Sequence, residues 1–403
     1  MMRTSTIAIV GAGQSGSAAA LRMRELGFSG RIVLIGDETY APYERPPLSK
    51  GVLLTETPAL TQFYDEEAFR TAGIEWLRGE RASSLHLQER EVSLAGGRRI
   101  GFDQLLLATG GRARLPTLPG SAHAMTLRTF DDALRLRARL QGRPRVVILG
   151  AGVVGLEVAS SAAELGCSVE VLERGERLMA RHLPPALSSH LADAHRSAGV
   201  KLRFGVETTA IERLRDGRFD VIGNFISEPA NVIVAGVGME PNIDLAAAQG
   251  LPVRRGIVVD AHGRTGCAGI YACGDVAEFY HERQGRHVHL ESWQHATQHA
   301  RSVASNMCGV SDVYAPTPWS WTDQHGLNIQ MLGDASAADT TVLRGLPCSQ
   351  RFVAYSLCEG RVVGATLVNQ GRELRHCRAL IESGATPDLE QLQDPSVDLR
   401  QLL

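Results

Sequence analysis

The chain has 403 residues, of which 44% are hydrophobic and 21% charged, and a formal net charge of -2. That length allows two or three domains with substantial cores, and the near-neutral balance gives no global pull toward nucleic acid or a membrane surface. Seven cysteines without a C-x-x-C pair argue against a disulfide framework, and no charged leader with a long apolar run precedes the first strand pattern, so a cytoplasmic protein is expected.

The first recognisable element is "IAIVGAGQSGSAAALRMRELGFSGRIVLIGDE", read as strand, glycine loop, amphipathic helix, second strand and acidic residue. Gly11 permits the tight turn, Gly13 lets the backbone approach a pyrophosphate, and Gly16 lets the helix sit close to the sheet. The helix start then turns unpaired N–H groups toward the phosphates. Asp37, closing the second strand, is placed to accept from ribose hydroxyls. Downstream, "APYERPPLSK" from Ala41 to Lys50 carries three prolines that resist both helix and central strand. Taken alone it is either a surface loop or an extended ligand for another domain. Next, "FDQLLLATGG" reads as a buried strand ending in glycine, an exit from the first nucleotide fold.

The pattern then recurs. "RVVILGAGVVGLEVASSAAELGCSVEVLER" repeats the order with Gly150, Gly152 and Gly155 in the loop and Glu173 as the acid. Its long apolar run is interrupted by glycines and glutamates where a nucleotide fold, not a membrane span, requires them. Two such loops imply two dinucleotides on one polypeptide, hence hydride transfer from a diffusible nicotinamide to a resident flavin: FAD on the first loop, NAD(P)H on the second, with Glu173 favouring NADH because it would accept from an adenosine ribose and repel a 2'-phosphate. Ser15 and Val154, each preceding the third glycine of its loop, join the expected cofactor contacts, as does Gly238 in the exit "ANVIVAGVGMEPN". The chain re-enters the first domain at "GIYACGDVAE", where Gly274-Asp275 is expected to start a helix and Asp275 to accept from a ribityl hydroxyl. His295 and His299 share a helix face, but no closing Cys or carboxylate stands at ligand spacing, so no metal site is expected. Cys267 and Cys273 read as reduced thiols.

From about Val313 the chain becomes an α+β segment, with "RFVAYSLCEGRVVGATLV" as a hairpin turning at Glu359-Gly360 and a helix from Arg372. Between Arg344 and Arg378 six arginines stand against two glutamates. This is either a solvated face or, with Trp319 and Trp321, a docking surface for an acidic iron-sulfur protein, in which Arg344, Arg351 and Arg361 would steer the partner.

Together with "PYERPPLSK", "ESWQHATQHA" and "PWSWTDQHGLNIQMLGD", these features resemble the ferredoxin reductase component of bacterial aromatic-ring-hydroxylating dioxygenases of the phenylpropionate and anthranilate type, over essentially the whole chain. The resemblance implies an α/β fold of two Rossmann-like domains in the glutathione-reductase arrangement, the second inserted in the first, plus a C-terminal α+β domain. The boundaries implied are 1–112 and 239–312 for FAD, 113–238 for NAD and 313–403 for the interface domain. Position by position it implies FAD contacts at Lys50, Arg45, Ala82, Arg128, Asp275 and Trp293, with the backbone serving at Ala82 and Trp293. Glu157 matches a position near the nicotinamide and Lys50; its other reading is a helix carboxylate facing solvent. Lys50 and Glu157 are the expected catalytic pair. Disulfide reductases of this architecture carry a redox cysteine after the first nucleotide fold; "APYERPPLSKG" has none, which directs electrons to an external acceptor.

The expected activity is thus electron transfer from NADH through FAD to a [2Fe-2S] ferredoxin, of Rieske type, feeding a terminal dioxygenase in aromatic hydrocarbon catabolism. The alternatives are a reductase for rubredoxin or a P450 ferredoxin, and a flavin-bearing redox-responsive binding protein of the apoptosis-inducing-factor sort. One departure from the family pattern is "NFISEPA", standing where a second turn signal is usual, which leaves the hairpin of the NAD domain open.

Overall fold

The computed structural model describes residues 5–403, which form two compact units. One comprises the described chain up to Glu44, Leu60–Arg112 and Met239–Pro316; the other comprises Arg45–Ala59, Ala113–Gly238 and Thr317–Leu403.

The first unit is built on a five-stranded parallel sheet. Its spatial order is Ile270–Ala272, Gln104–Leu107, Thr6–Val10, Arg31–Gly36 and Ile74–Arg78. The near-continuous apolar character of "TIAIV" and "RIVLIG" follows from burial on both faces. Ile7, Ile9, Ile32 and Leu34 pack on one side with Ala18, Ala19 and Met23 of helix Gln14–Glu25 and Ala300, Val303 and Ala304 of helix Trp293–Met307. Ala8, Val10, Val33 and Ile35 point the other way, into a core closed by Leu85, Val92, Phe102 and Phe279. The two-residue period of a strand thus supplies both cores at once.

After Gly274 the structure differs from the sequence expectation. A single 3-10 turn, Gly274–Val276, leads into strand Ala277–His281, not a helix. "AEFYH" is rich in aromatic residues and finds a parallel neighbour in Ile257–Val259 and an antiparallel one in Arg286–His289, and this pairing overrides the local helix signal. His295 and His299 are buried in a stack with Phe279 and Tyr314.

The second unit holds a four-stranded parallel sheet in the order Lys201–Arg203, Ser168–Leu172, Arg145–Leu149 and Val232–Ala235. The hairpin within "IERLRDGRFDVIG" forms, with Thr208–Arg213 pairing antiparallel with Phe219–Gly223, but the second hairpin that the sequence left open does not: residues 224–229 form no strand, and a single bridge from Phe219 to Ala230 stands in its place. "NFISEPA" is tied down, with Ser227 Oγ donating to the buried Glu170 carboxylate at 2.6 Å and Arg145 Nε to the Glu228 carbonyl. The last part of the unit is a five-stranded antiparallel sheet ordered Trp319–Gln324, Leu327–Gly333, Arg361–Val368, Arg351–Cys358 and Thr340–Leu346. Helix Leu374–Ser383 covers it through Cys377 and Leu380. The turn at Glu359 and Gly360 has positive φ at both residues, the geometry that matches strand twist in a two-residue hairpin.

Candidate functional site

Both glycine loops pass a simple steric test for a ligand. A Cβ on Gly11 would lie 2.2 Å from the Ala108 carbonyl oxygen, and one on Gly16 would lie 1.8 Å from that of Gly11, so the fold itself requires these glycines. A Cβ on Gly13 would meet nothing within 4 Å, and the residue has an ordinary φ of -73°. The protein's own packing gives no reason for a glycine there; close approach of another molecule does. The second loop repeats this: added Cβ atoms at Gly150 and Gly155 would sit 2.7 and 2.4 Å from carbonyl oxygens, whereas Gly152 has only an ordinary contact at 3.6 Å.

The helices that follow, Gln14–Glu25 and Val153–Glu164, have no side-chain N-cap and no acidic residue in the first turn. Elsewhere Thr129, Asp65 and Ser292 cap their helices through side chains. Uncapped N–H groups next to an open glycine are the donor set a pyrophosphate needs. Ser15 is buried and its hydroxyl donates to the Ala296 carbonyl, leaving its backbone to face a ligand. Val154 is 42% exposed at the start of its helix, and Gly238 combines a φ of +110° with open space around an added Cβ.

The two ribose carboxylates differ. Asp37 is exposed just beyond strand Arg31–Gly36. Glu173 is half-buried and accepts from Ala151 N–H of the glycine loop at 2.7 Å and Gly175 N–H at 2.6 Å, so its orientation is fixed by backbone. Arg177 turns away from that edge: its guanidinium donates to the carbonyls of Leu183 and Ala180 and to Ser188 Oγ.

The other expected contacts fall in both units. In the first, Ala82 opens strand Ala82–His86, the Asp275 carbonyl accepts from His289 Nε2–H at 2.7 Å, and the Trp293 carbonyl accepts from Gln14 Nε2 at 2.7 Å. In the second, Arg45 donates to the Arg128 carbonyl.

The second unit also gathers Lys50 and Glu157. Lys50 follows the 3-10 turn Pro46–Ser49, which the prolines favour because their fixed φ suits a turn's first positions. Its Nζ lies 3.0 Å from Glu157 Oε1 and 3.4 Å from Asp323 Oδ2, and 5.9 Å from the centre of the Trp321 ring. Glu157 is 4% exposed on helix Val153–Glu164, not a solvent-facing carboxylate. Ser49 Oγ donates to its Oε2 at 2.5 Å and Thr322 Oγ1 to its Oε1 at 2.6 Å. Three donors satisfy a carboxylate that would otherwise be costly to bury. Strand Trp319–Gln324 contributes by alternation: Thr322 and Gln324 reach one face, while Trp319, Trp321 and Asp323 occupy the other. Trp321 Nε1 donates to Asp323 Oδ2, and the two indoles stack at 5.1 Å between centres.

Comparison with known proteins places this geometry. The pyridine nucleotide-disulphide oxidoreductase family matches residues 5–300. The chain belongs to this family. A second family, the reductase C-terminal domain, matches residues 319–403. Over its full length the oxidoreductase is 39% identical to the anthranilate 1,2-dioxygenase system ferredoxin–NAD(+) reductase component of Burkholderia cepacia, with all of both chains covered. Among solved structures it is similar to the ferredoxin reductase for the CYP199A2 system from Rhodopseudomonas palustris, with a TM-score of 0.94, 36% identity and 98% and 99% of the two chains covered. It is also similar to putidaredoxin reductase in a covalent complex with putidaredoxin, with a TM-score of 0.93, 32% identity and 99% and 98% covered.

Despite its family's name, this oxidoreductase has its first cysteine at Cys167, and all seven thiols are free. Sequence reasoning missed Ser49, Thr322 and Asp323 as partners of the Lys50–Glu157 pair; the alternating polar residues of "WSWTDQ" were the available signal. It also misjudged Arg344. That side chain is 6% exposed and donates to the carbonyls of Leu392, Asp394, Pro395 and Val397, so it fastens the C-terminal segment and presents no charge to a partner. Arg351 and Arg361 are exposed. Among the described residues no helix is long and apolar enough to cross a membrane.

Proposed function

We propose that this oxidoreductase is a cytoplasmic NADH-dependent ferredoxin reductase supplying a [2Fe-2S] ferredoxin, of Rieske type, that feeds an aromatic-ring-hydroxylating dioxygenase. The carrying observation is the segment Arg45–Lys50: where an internal thiol relay would need a cysteine, it presents an ammonium paired with a buried carboxylate. Electrons therefore leave the chain for an external acceptor. The net reaction balances as one NADH and two oxidised ferredoxins giving NAD+, two reduced ferredoxins and one proton. Free thiols, including the exposed Cys348, suit a reducing compartment.

FAD would be held by the loop Gly11, Gly13, Ser15 and Gly16, by Asp37 at a ribose, and by Arg45, Lys50, Ala82, Arg128, Asp275 and Trp293. NADH would be held by Gly150, Gly152, Val154, Gly155, Glu157, Glu173 and Gly238. Bound FAD supplies the chemistry these side chains lack, accepting an electron pair as hydride and releasing electrons one at a time. The protein's share is orientation and electrostatics. Glu157 and Asp323 hold the Lys50 ammonium in place, so its positive charge is available to stabilise electron density without rearrangement. Glu173 repels a 2'-phosphate and accepts from a 2'-hydroxyl.

The test uses purified holoenzyme with NADH and either a Rieske-type or a P450-type [2Fe-2S] ferredoxin, with cytochrome c as terminal acceptor. Fast turnover with the Rieske-type ferredoxin and slow oxidation by oxygen are expected. Preference for the P450-type protein replaces the dioxygenase assignment with the reading favoured by the 36% identical structural relative. Turnover with neither overturns the reductase assignment.

A further inference from the structure

Behind the Lys50–Glu157 pair, the second unit contains a line of buried polar side chains that the proposed reaction does not use directly. Thr322 Oγ1 accepts from Gln324 Nε2 at 2.8 Å, Gln324 Oε1 lies 2.8 Å from His195 Nε2, and His195 Nδ1 lies 3.0 Å from His325 Nε2. Thr322, Gln324 and His195 are at most 1% exposed. The ends are tied to helix Val153–Glu164, with His325 N–H donating to Ser160 Oγ and Ser161 Oγ donating to the Ser49 carbonyl.

The hydrogen bonds have one possible direction. Glu157 is an acceptor, so the Thr322 hydroxyl donates its only proton to it and receives the Gln324 amide N–H. The Gln324 oxygen then faces His195, which must carry its proton on Nε2. His195 is neutral, since burial holds it down to about 4 against the weaker upward pull of Gln324. Its Nδ1 is therefore bare and accepts from His325 Nε2–H. Every donor points toward Glu157. The amide of Gln324 does not relay protons as an imidazole or hydroxyl does, so the line orients and does not conduct.

We propose that Thr322, Gln324, His195 and His325 form a one-directional hydrogen-bonded chain that positions the Glu157 carboxylate against the Lys50 ammonium, making His195 a positioning residue for flavin reduction. The inference rests on the Lys50–Glu157 pair acting in that step. A Thr322 without its Gln324 donor can rotate its hydroxyl away from Glu157, and a Gln324 without the His195 donor can flip its amide. Either change loosens the carboxylate that fixes the ammonium.

The experiment compares His195→Leu, Thr322→Val and His195→Gln holoenzymes with wild type, using Lys50→Met to test the underlying reading. The glutamine side-chain N–H can replace imidazole Nε2–H toward Gln324. Expected are a roughly three- to tenfold lower limiting rate of flavin reduction by NADH in His195→Leu and Thr322→Val, each of which breaks two links of the chain and removes about one net hydrogen bond of restraint from Glu157, a more negative flavin midpoint potential, and unchanged FAD content. His195→Gln should restore both rate and potential. Wild-type rate and potential in His195→Leu and Thr322→Val, with Lys50→Met slow, overturn the chain alone; a wild-type rate in Lys50→Met overturns the role of the pair and the chain with it. Independently of activity or variant folding, 15N spectra of histidine-labelled wild-type protein should show His195 neutral with its proton on Nε2, and a proton on Nδ1 would overturn the proposal.

Discussion

Replacing Arg344 by methionine separates a structural from a docking role for the C-terminal arginines. The perturbation removes a guanidinium that donates to the carbonyls of Asp394 at 2.7 Å, Val397 at 2.6 Å, and Leu392 and Pro395 at 3.3 Å. It also leaves Glu373 Oε2, 3.7 Å from Nε, without its cation. Methionine fills much of the volume but offers no donor. Stranding several acceptors at about 1–3 kcal/mol each is offset where the segment can turn toward water, so the cost should fall near that of breaking a buried ion pair, about 3–5 kcal/mol. Urea unfolding of the holoenzyme, followed by the summed fluorescence of its four tryptophans, measures it. Arg351→Gln, at an exposed site, is the control and should stay within about 0.5 kcal/mol. At urea-free, low-salt conditions the folded Arg344→Met enzyme should keep its kcat/KM for ferredoxin. A stability loss below about 0.5 kcal/mol with impaired ferredoxin kinetics would refute the structural role and return Arg344 to the docking surface.

Coenzyme choice should follow Glu173: wild type should show higher kcat/KM with NADH than with NADPH, and equal values would sink that assignment. Arg177→Gln should not alter the preference, because the guanidinium is already committed to Leu183, Ala180 and Ser188. His295 gives a pH prediction: burial depresses it from 6.5 to about 4, so its contribution is complete above the unfolded value of 6.5 and declines as pH falls toward 4. At pH 5 this one histidine should cost roughly 2 kcal/mol, and His295→Phe should reduce the fall in unfolding free energy between pH 7 and 5; an unchanged slope would contradict the assignment. Alkylation of accessible thiols such as Cys348 should leave electron transfer from NADH to ferredoxin largely intact, and its abolition would show a thiol in the path.

Residue pattern alone determined the elements whose causes are local. Glycines at 11, 13, 16, 150, 152 and 155 define loops because turn geometry and helix starts depend on neighbouring residues, and Glu359-Gly360 specifies a hairpin for the same reason. The absence of a cysteine near Lys50 was equally legible. Where two local signals competed, tertiary pairing chose: "GDVAEFYH" became a turn and strand because Ile257–Val259 and Arg286–His289 were there to receive it. The surroundings of charged side chains were decided by tertiary structure alone. Glu157 is buried because Ser49, Lys50 and Thr322, remote from it in the chain, converge on its two oxygens. Arg344 looks like any surface arginine in sequence and is buried because the segment from Leu392 to Val397 folds its carbonyls over it. A charge's fate depends on which distant donors and acceptors replace its water, and only the folded chain brings them together.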